Sequence, residues 1–164
     1  MDARDKIVAP GALSELAVRL KKEGKKIVTT NGCYDILHVG HLRALEASKA
    51  LGDVLIVGIN SDSSVKEYKS PLRPVVSEAE RAEMLAGLAC VDFVTIFSEK
   101  NPIHFLEIVQ PSVHTKSSDR DAEKLPETPT VRKYGGDVIM VPLIPGHSTT
   151  KLIERIRDSE KNGS

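Results

Sequence analysis

The chain has no tryptophan, and its three tyrosines and three phenylalanines make up only 4% of the 164 residues. Proteins that stack the bases of single-stranded nucleic acids use aromatic platforms, for which these rings are too few. The sequence also lacks a charge excess, since lysine plus arginine and aspartate plus glutamate number 23 each. Proteins that bind nucleic-acid phosphates are usually basic. We therefore expect no nucleic-acid partner.

Cysteines and long apolar runs are also scarce. The two cysteines, Cys33 and Cys90, are too few for a disulfide framework, which indicates a reducing compartment. Residues 1–6 are charged and lead into no apolar segment, so no signal peptide is predicted. The longest apolar runs, such as residues 54–57, have the length of a strand and fall far below the ~20 residues of a membrane helix. We expect a cytoplasmic protein with no membrane partner.

Two common nucleotide-binding motifs are absent. The chain contains neither the Gly-x-x-x-x-Gly-Lys-Ser/Thr loop nor the Gly-x-Gly-x-x-Gly fingerprint, which argues against P-loop and dinucleotide-dependent enzymes. A length of 164 residues suits one well-cored domain and is short for two.

Hydrophobic patterning predicts helices that alternate with strands, and Ser77 with Glu80 forms the pattern of a capping box at one helix start. The predicted helices cover residues 11–23, 39–51, 77–88, 101–109 and 148–157, and the predicted strands cover residues 26–30, 54–59, 91–97, 112–115 and 138–141. Residues 119–130 are expected to form a loop followed by a short helix. This alternation predicts an α/β fold, a single-domain, doubly wound, Rossmann-like parallel sheet of five strands flanked by helices.

The predicted organisation has three parts. Residues 1–24 are expected to form an N-terminal helix packed on the domain, residues 25–158 the domain itself, and residues 159–164 a frayed C-terminus. Ligands of doubly wound sheets bind beyond the carboxyl ends of the strands. The loops that follow strands should therefore gather at one edge of the sheet.

Two histidines open the helix after the first strand. His38 and His41 are three residues apart, which places both imidazoles on one face of the helix start. Free backbone N–H groups and the helix dipole favour anions there, and Gly40 lets a phosphate approach the backbone. The pattern favours a phosphate site in which imidazole N–H donors stabilise in-line attack on a nucleotide α-phosphate. Two alternatives stay open, a zinc site that adds Cys33 and histidines without a chemical role.

A second helix start carries a run of hydroxyl groups. Ser148, Thr149 and Thr150 follow Gly146 and open the last predicted helix. Their hydroxyls and the N-terminal N–H groups can hold phosphate oxygens, or they can act only as ordinary caps.

Several charged residues lie in loops or helix starts near these motifs. Lys69 and Arg73 follow the second strand and are either phosphate contacts or part of a solvated surface. Arg81 lies in the first turns of a helix, where the dipole disfavours a cation, so we expect an anion or an acidic partner beside it. Lys116 and Asp119 follow the fourth strand and are candidates for a nucleotide or Mg²⁺, with a solvated loop as the alternative.

The segment Asn31-Gly32-Cys33-Tyr34-Asp35-Ile36-Leu37-His38-Val39-Gly40-His41 resembles the cytidylyltransferase-like nucleotidyltransferases, whose signature is His-x-Gly-His. The similarity continues through residues 51–62 and resumes at residues 73–75, 80–81, 91–92, 116–119, 135–136 and 148–150, so it covers about residues 26–156. Within that family the chain is most similar to the D-glycero-D-manno-heptose 1-phosphate nucleotidyltransferases.

This resemblance implies a reaction and a set of site residues. The enzyme would transfer a nucleoside monophosphate from ATP or CTP to a sugar 1-phosphate, giving a nucleotide sugar and pyrophosphate. Mg²⁺ would be held by the nucleotide phosphates and not directly by the protein, and a homodimer is expected. The implied catalytic residues are His38, His41 and Lys69. The implied nucleotide- and phosphate-binding residues are Thr30, Asn31, Gly32, Cys33, Asp35, Gly40, Arg73, Arg81, Lys116, Asp119, Ser148, Thr149 and Thr150.

The chain departs from the family pattern in one loop. The heptose branch usually has Lys-Gly-Gly-Asp-Tyr where residues 116–120 read Lys-Ser-Ser-Asp-Arg. The loss of two glycines restricts positive φ angles, and the exchange of an aromatic residue for arginine would alter the acceptor or base pocket. The glycerol 3-phosphate branch usually has an arginine where residues 143–145 read Leu-Ile-Pro, which argues against that branch. The alternatives are the same chemistry on a polyol phosphate, a phosphonate or flavin mononucleotide, and a nucleotide-binding module without turnover.

Overall fold

The computed structural model of this chain describes residues 2–117 and 121–162. Its strands are β1 (Ile27–Gly32), β2 (Val54–Asn60), β3 (Phe93–Phe97), β4 (Val113–Ser117) and β5 (Asp137–Val141). Its α-helices are α1 (Leu13–Lys22), α2 (Val39–Lys49), α3 (Asp62–Tyr68), α4 (Glu78–Ala86), α5 (Ile103–Val109), α6 (Thr128–Lys133) and α7 (Thr149–Asn162). Short 3₁₀ helices lie at Ala3–Lys6, Pro10–Ala12 and Ala122–Lys124.

The strands form one sheet in the order β3-β2-β1-β4-β5, and every neighbouring pair is parallel. β1 lies in the centre, and the winding of the chain reverses between β1 and β4. The connections that leave these two strands run to opposite faces of the sheet, which opens a crevice beyond their carboxyl ends. The predicted doubly wound, Rossmann-like parallel sheet of five strands is confirmed.

Strand side chains alternate between two hydrophobic cores. Ile27 and Ile56 pack on one face with α1, α5 and α6, whereas Val28 and Leu55 pack on the other face with α2 and α4. All seven residues of β2 are buried, which explains its continuous apolar sequence. A fully buried aliphatic side chain stabilises the fold by roughly 1.5–3 kcal/mol. These contacts hold the helices rigidly against the sheet and so fix where α2 begins.

The N-terminal segment packs on the domain at two places. Ile7 forms a parallel bridge with Val94 of β3, and the Val8 N–H donates to the Val94 carbonyl at 2.8 Å. α1 begins two residues later than predicted and buries its apolar stripe against α5. Within residues 2–117 and 121–162, no helix has both the length and the apolar character that crossing a membrane requires.

Helices at two places differ from the sequence prediction. α3 was not predicted, because a seven-residue helix with Val65 as its one buried apolar side chain shows no apolar periodicity. It is held instead by caps, since the Ser61 hydroxyl accepts from the Ser64 N–H and the Glu78 carboxylate accepts from the Asp62 N–H. α7 continues to Asn162, beyond the predicted end near residue 157, because no glycine or proline interrupts it. Residues 159–162 are therefore helical rather than frayed.

Candidate active site

A cavity of about 680 Å³ lies beyond the carboxyl ends of β1 and β4. The loop that follows β1, the start of α2, the end of α3 and the turn before α7 form its walls. The predicted site residues that line it are Thr30, Asn31, Gly32, Cys33, Asp35, His38, Gly40, His41, Lys69, Lys116, Ser148, Thr149 and Thr150. Arg73 and Arg81 do not line it, and Asp119 lies outside the described residues.

The starts of two helices meet in this cavity. His38 occupies the N-cap position of α2 in an extended conformation, and α7 begins at Thr149. The Thr149 hydroxyl donates to the Ile36 carbonyl at 3.4 Å, which ties α7 to the loop before α2. The Ser148 hydroxyl accepts from the Lys151 N–H at 3.1 Å, so it also caps α7. Two sets of N-terminal backbone N–H groups therefore face one cavity, an arrangement that suits a polyanion.

The two motif histidines stack on each other at this helix start. Their ring centroids are 3.8 Å apart with an interplanar angle of 22°, and the Tyr34 ring lies 5.1 Å from that of His41. Burial, together with the nearby His38 and Lys69, lowers the pKa of His41 to about 4, and burial with the nearby His147 also lowers the pKa of His38. Both rings are therefore neutral at pH 7. Their Nδ1 atoms are shielded from solvent and have no hydrogen-bond partner among the described residues.

Gly40 permits this close approach. A Cβ built on residue 40 would lie 2.9 Å from Nδ1 and Cε1 of His38 and 3.2 Å from the Cβ of His147. A side chain at this position would push the His38 ring out of place and crowd the turn before α7. The need for glycine here is therefore steric.

Asp35 holds the loop that follows β1. Its carboxylate accepts from the Arg73 guanidinium at 2.6 Å and from the N–H groups of Val75 and Val76 at 2.8 and 2.9 Å. The Asp35 side chain is 1% exposed, so these bonds replace the water that a buried carboxylate would otherwise need. Asp35 thus fixes the loop after β1 against residues 73–76. Arg73 serves as its counter-ion and does not line the cavity.

Arg81, which the resemblance implied to contact phosphate, is buried beside Asp62 in this structure. Its side chain is 0% exposed and donates to the Asp62 carboxylate at 2.8 Å, the Cys33 carbonyl at 2.5 Å and the Val76 carbonyl at 3.0 Å. Asp62 is thus an acidic partner of the kind expected beside a cation at a helix start. These three acceptors compensate the burial of the guanidinium, and Arg81 does not line the cavity.

Two lysines bring positive charge to the walls of the cavity. Lys69 follows α3 directly, and its ammonium lies 5.9 Å from the ring centre of Tyr68. Lys116, on β4, forms an ion pair with Glu127 at 3.1 Å, and the Glu127 side chain is 4% exposed. Glu127 was not predicted, because nothing in its local sequence indicates that its carboxylate reaches across to β4.

A buried polar network lies beneath the cavity. The Thr30 hydroxyl donates to the Thr115 carbonyl at 3.0 Å, and the Thr115 hydroxyl lies 2.7 Å from that of Ser48 on α2. On the other face of the sheet the Thr29 hydroxyl lies 2.9 Å from Nδ1 of His114. Burial lowers the pKa of His114 to about 3, so this ring is neutral. The network ties β1, β4 and α2 together at the edge where the cavity opens.

The donor set of the cavity fits magnesium only as part of a nucleotide complex. Asp35 is the one carboxylate among the described lining residues, and Arg73 and two N–H groups occupy both of its oxygens. Residues 2–117 and 121–162 contain no group of three or more His, Cys, Asp or Glu side chains placed to hold a metal ion, so the zinc alternative gains no support from them. Magnesium prefers oxygen ligands, which the phosphates of a nucleotide supply.

The sequence matches a family model and curated proteins over most of its length. The cytidylyltransferase-like family model matches residues 29–160. The bifunctional protein HldE of Geotalea uraniireducens is 46% identical over 156 residues, which is 95% of this chain and 32% of that protein. The bifunctional protein HldE of Koribacter versatilis is 45% identical over 153 residues, which is 93% of this chain and 32% of that protein. The chain thus spans about a third of the length of these curated relatives.

Solved structures show the same fold. The lipopolysaccharide core biosynthesis protein from Thermoplasma volcanium is 29% identical with a TM-score of 0.61, over 74% of this chain and 98% of that chain. The pantoate-beta-alanine ligase from Francisella tularensis, solved with beta-gamma ATP and beta-alanine, is 18% identical with a TM-score of 0.56, over 83% of this chain and 66% of that chain. At this identity, the similarity to the ligase shows a shared fold and nothing more. Because the family model matches most of its length and curated relatives are 45–46% identical to it, this chain belongs to the cytidylyltransferase-like family of nucleotidyltransferases.

Proposed function

We propose that this chain transfers a nucleoside monophosphate from ATP or CTP to a sugar 1-phosphate, with heptose 1-phosphate as the acceptor, and releases pyrophosphate. The observation that carries the proposal is the meeting of two helix starts in one cavity, with His38 and His41 at the first and Ser148, Thr149 and Thr150 at the second. Two sets of N–H groups and neutral donors suit a ligand with several linked phosphates.

The reaction needs alignment more than it needs a protein base. An oxygen of the acceptor phosphate attacks the α-phosphorus, a new P–O bond forms, and the bond from the α-phosphorus to the bridging oxygen breaks. The electron pair of that bond leaves with pyrophosphate. Because the acceptor phosphate is already an anion at neutral pH, no proton has to be removed from it. The protein must hold two anions in line and offset their repulsion.

The residues divide this task by position. His38 and His41 are neutral, so they serve as hydrogen-bond donors to the oxygens of the α-phosphate as charge redistributes. Ser148, Thr149 and Thr150 bind the outer phosphates, and Lys69 supplies positive charge from the cavity wall at the end of α3. Magnesium, bound to the nucleotide phosphates, would neutralise part of their charge.

The choice of acceptor rests on the resemblance and on the relatives. Asn31-Gly32, Asn60-Ser61-Asp62 and the spacing to residues 148–150 suit the heptose 1-phosphate branch, and one solved relative is named as a lipopolysaccharide core biosynthesis protein. Ser117 of the departing loop lines the cavity, whereas residues 118–120 lie outside the described residues. The Lys116–Glu127 pair beside this loop would contribute to the acceptor or base pocket.

The remaining expectations also belong to this proposal. We propose a homodimer, as the resemblance implies, and a cytoplasmic protein. Cys33 and Cys90 are both free thiols, which is compatible with a reducing compartment.

An acceptor and nucleotide panel tests the proposed function. Pyrophosphate release would be measured with ATP or CTP against both anomers of heptose 1-phosphate, glycerol 3-phosphate, a phosphonate and flavin mononucleotide. We expect release with a heptose 1-phosphate at a kcat/KM at least ~10⁴ M⁻¹s⁻¹, within the usual range for enzymes. Faster turnover with another acceptor would reassign the substrate. Tight nucleotide binding with no release for any acceptor would indicate a binding module instead.

A further inference from the structure

A third imidazole lies beside the two motif histidines in the wall of the cavity. His147 lies in the turn before α7, and its ring centroid is 6.5 Å from that of His38 with an interplanar angle of 27°. Since His38 also stacks on His41, the three rings form a row of nearly parallel imidazoles that joins the start of α2 to the start of α7. The sequence alone predicted no role for His147.

The position of His147 is set by the backbone around it. Gly146 has a φ of +82°, a conformation that glycine adopts without strain, and the His147 N–H donates to the Ile144 carbonyl at 3.4 Å. The missing side chain at Gly40 lets the Cβ of His147 lie close to α2. The hydrogen bond from Thr149 to Ile36 holds the two segments together on the other side of the turn.

The three rings differ in their surroundings. Burial lowers the pKa of His38 and of His41, so those two rings act as neutral donors. His147 is exposed and lines the cavity, so its ring can contact a ligand that enters from solvent. An imidazole N–H at this position can donate a hydrogen bond to a phosphate oxygen.

We infer that His147 is a phosphate-binding residue that holds the β- and γ-phosphates of the bound nucleotide, and the pyrophosphate that they become. This assignment rests on the proposed function, since it names a further binding group of the same site. His147 lines the cavity and directly precedes Ser148, whose hydroxyl caps α7. It therefore meets the end of a triphosphate that extends from the α-phosphate at the start of α2 toward α7.

Binding measurements without acceptor test this assignment. Calorimetry with magnesium pyrophosphate, and with the matched pairs ATP and AMP or CTP and CMP, would compare the wild type with His147→Ala. We expect the Kd for pyrophosphate and for the triphosphate to rise about 10-fold, the effect of losing one charge-assisted hydrogen bond, and the Kd for the monophosphate to stay the same. His147→Arg, which again supplies N–H donors for a phosphate oxygen, should bring the triphosphate Kd back to within about threefold of the wild type.

His104→Ala is the matched control. His104 is also an exposed histidine, but it lies 3.8 Å from Glu107 and lines a separate cavity beside β3. Its replacement should leave all of these Kd values unchanged. Equal losses for triphosphate and monophosphate in His147→Ala, or no loss for either, would overturn the assignment.

The outcome is separable from that of the acceptor panel. If the panel shows no transfer but His147→Ala still loses affinity for pyrophosphate and triphosphate selectively, the proposed reaction fails and the phosphate assignment stands. If transfer occurs and His147→Ala binds pyrophosphate as the wild type does, the assignment fails and the reaction stands.

Discussion

A single methyl group added at residue 40 tests whether the close packing of the two helix starts matters for catalysis. Gly40 lies in the first turn of α2, and its φ is not positive, so alanine fits the backbone there. The new Cβ would lie 2.9 Å from two ring atoms of His38, whereas ordinary van der Waals contact begins at 3.4 Å. The His38 ring must therefore move by about 0.5 Å, which is the difference between these distances.

The expected cost appears in catalysis and not in stability. The two closest atoms belong to the His38 ring, which can turn away, and the Cβ of His147 at 3.2 Å has to give by only about 0.2 Å, so we expect the fold to be kept. Alanine in a helix is even favoured over glycine by up to ~1 kcal/mol. A misplacement of about 1 Å in an active site can cost ~100-fold in rate, so half of that displacement predicts a loss of roughly 10-fold in kcat/KM for Gly40→Ala.

Pyrophosphate release kinetics and urea denaturation would be measured on the same preparations. Gly11→Ala is the control, because a Cβ built on Gly11 has no atom within 4 Å and this residue lies away from the site. Unchanged kcat/KM in Gly40→Ala would refute the claim that the position of His38 depends on this gap. A loss of stability above ~2 kcal/mol would refute the claim that the ring, and not the backbone, absorbs the methyl group.

Three further predictions concern other residues. His41→Ala should lower kcat at least ~100-fold with the fold kept, as expected for the loss of a transition-state donor, and pyrophosphate release measures it. Arg81→Met should lower the free energy of unfolding in urea by about 3 kcal/mol, because a buried guanidinium bonded to Asp62 and two carbonyls is lost. Lowering the pH from 7.5 to 5 should cost about 2 kcal/mol through His114, since each pH unit below 6.5 is worth about 1.4 kcal/mol.

The sign of the pH effect follows from the depressed pKa of His114. The folded protein keeps this ring neutral until about pH 3, whereas the unfolded chain takes up a proton below its ordinary value of 6.5. Stability is therefore lost as the pH falls through that window, and His114→Gln should show a shallower pH dependence than the wild type. Equal pH dependence in both proteins would contradict the burial argument.

Near wild-type turnover in His41→Ala would reject its catalytic role, and a change below ~1 kcal/mol in Arg81→Met would reject its structural role.

The sequence alone predicted the features that depend on neighbouring residues. Apolar alternation and helix caps are local patterns, so the five strands and most helices were predicted close to their observed positions. The capping box is one example, since the Ser77 hydroxyl accepts from the Glu80 N–H and the Glu80 carboxylate accepts from the Ser77 N–H. The placement of His38 and His41 at the start of α2 followed in the same way, because a strand that ends in a polar turn before a helix is itself a local signal.

The tertiary structure decided which side chains meet. Arg81 and Arg73 carry the same charge, and only the folded loops show that Asp62 and Asp35 pair with them and that neither arginine lines the cavity. The pairing of Lys116 with Glu127 and the stacking of His147 near His38 join residues far apart in the chain. Such contacts depend on how strands and helices pack, which no local pattern encodes. The sequence by itself therefore determined the order and type of the elements, whereas the packing of α2 and α7 at the edge of the sheet determined the composition of the cavity.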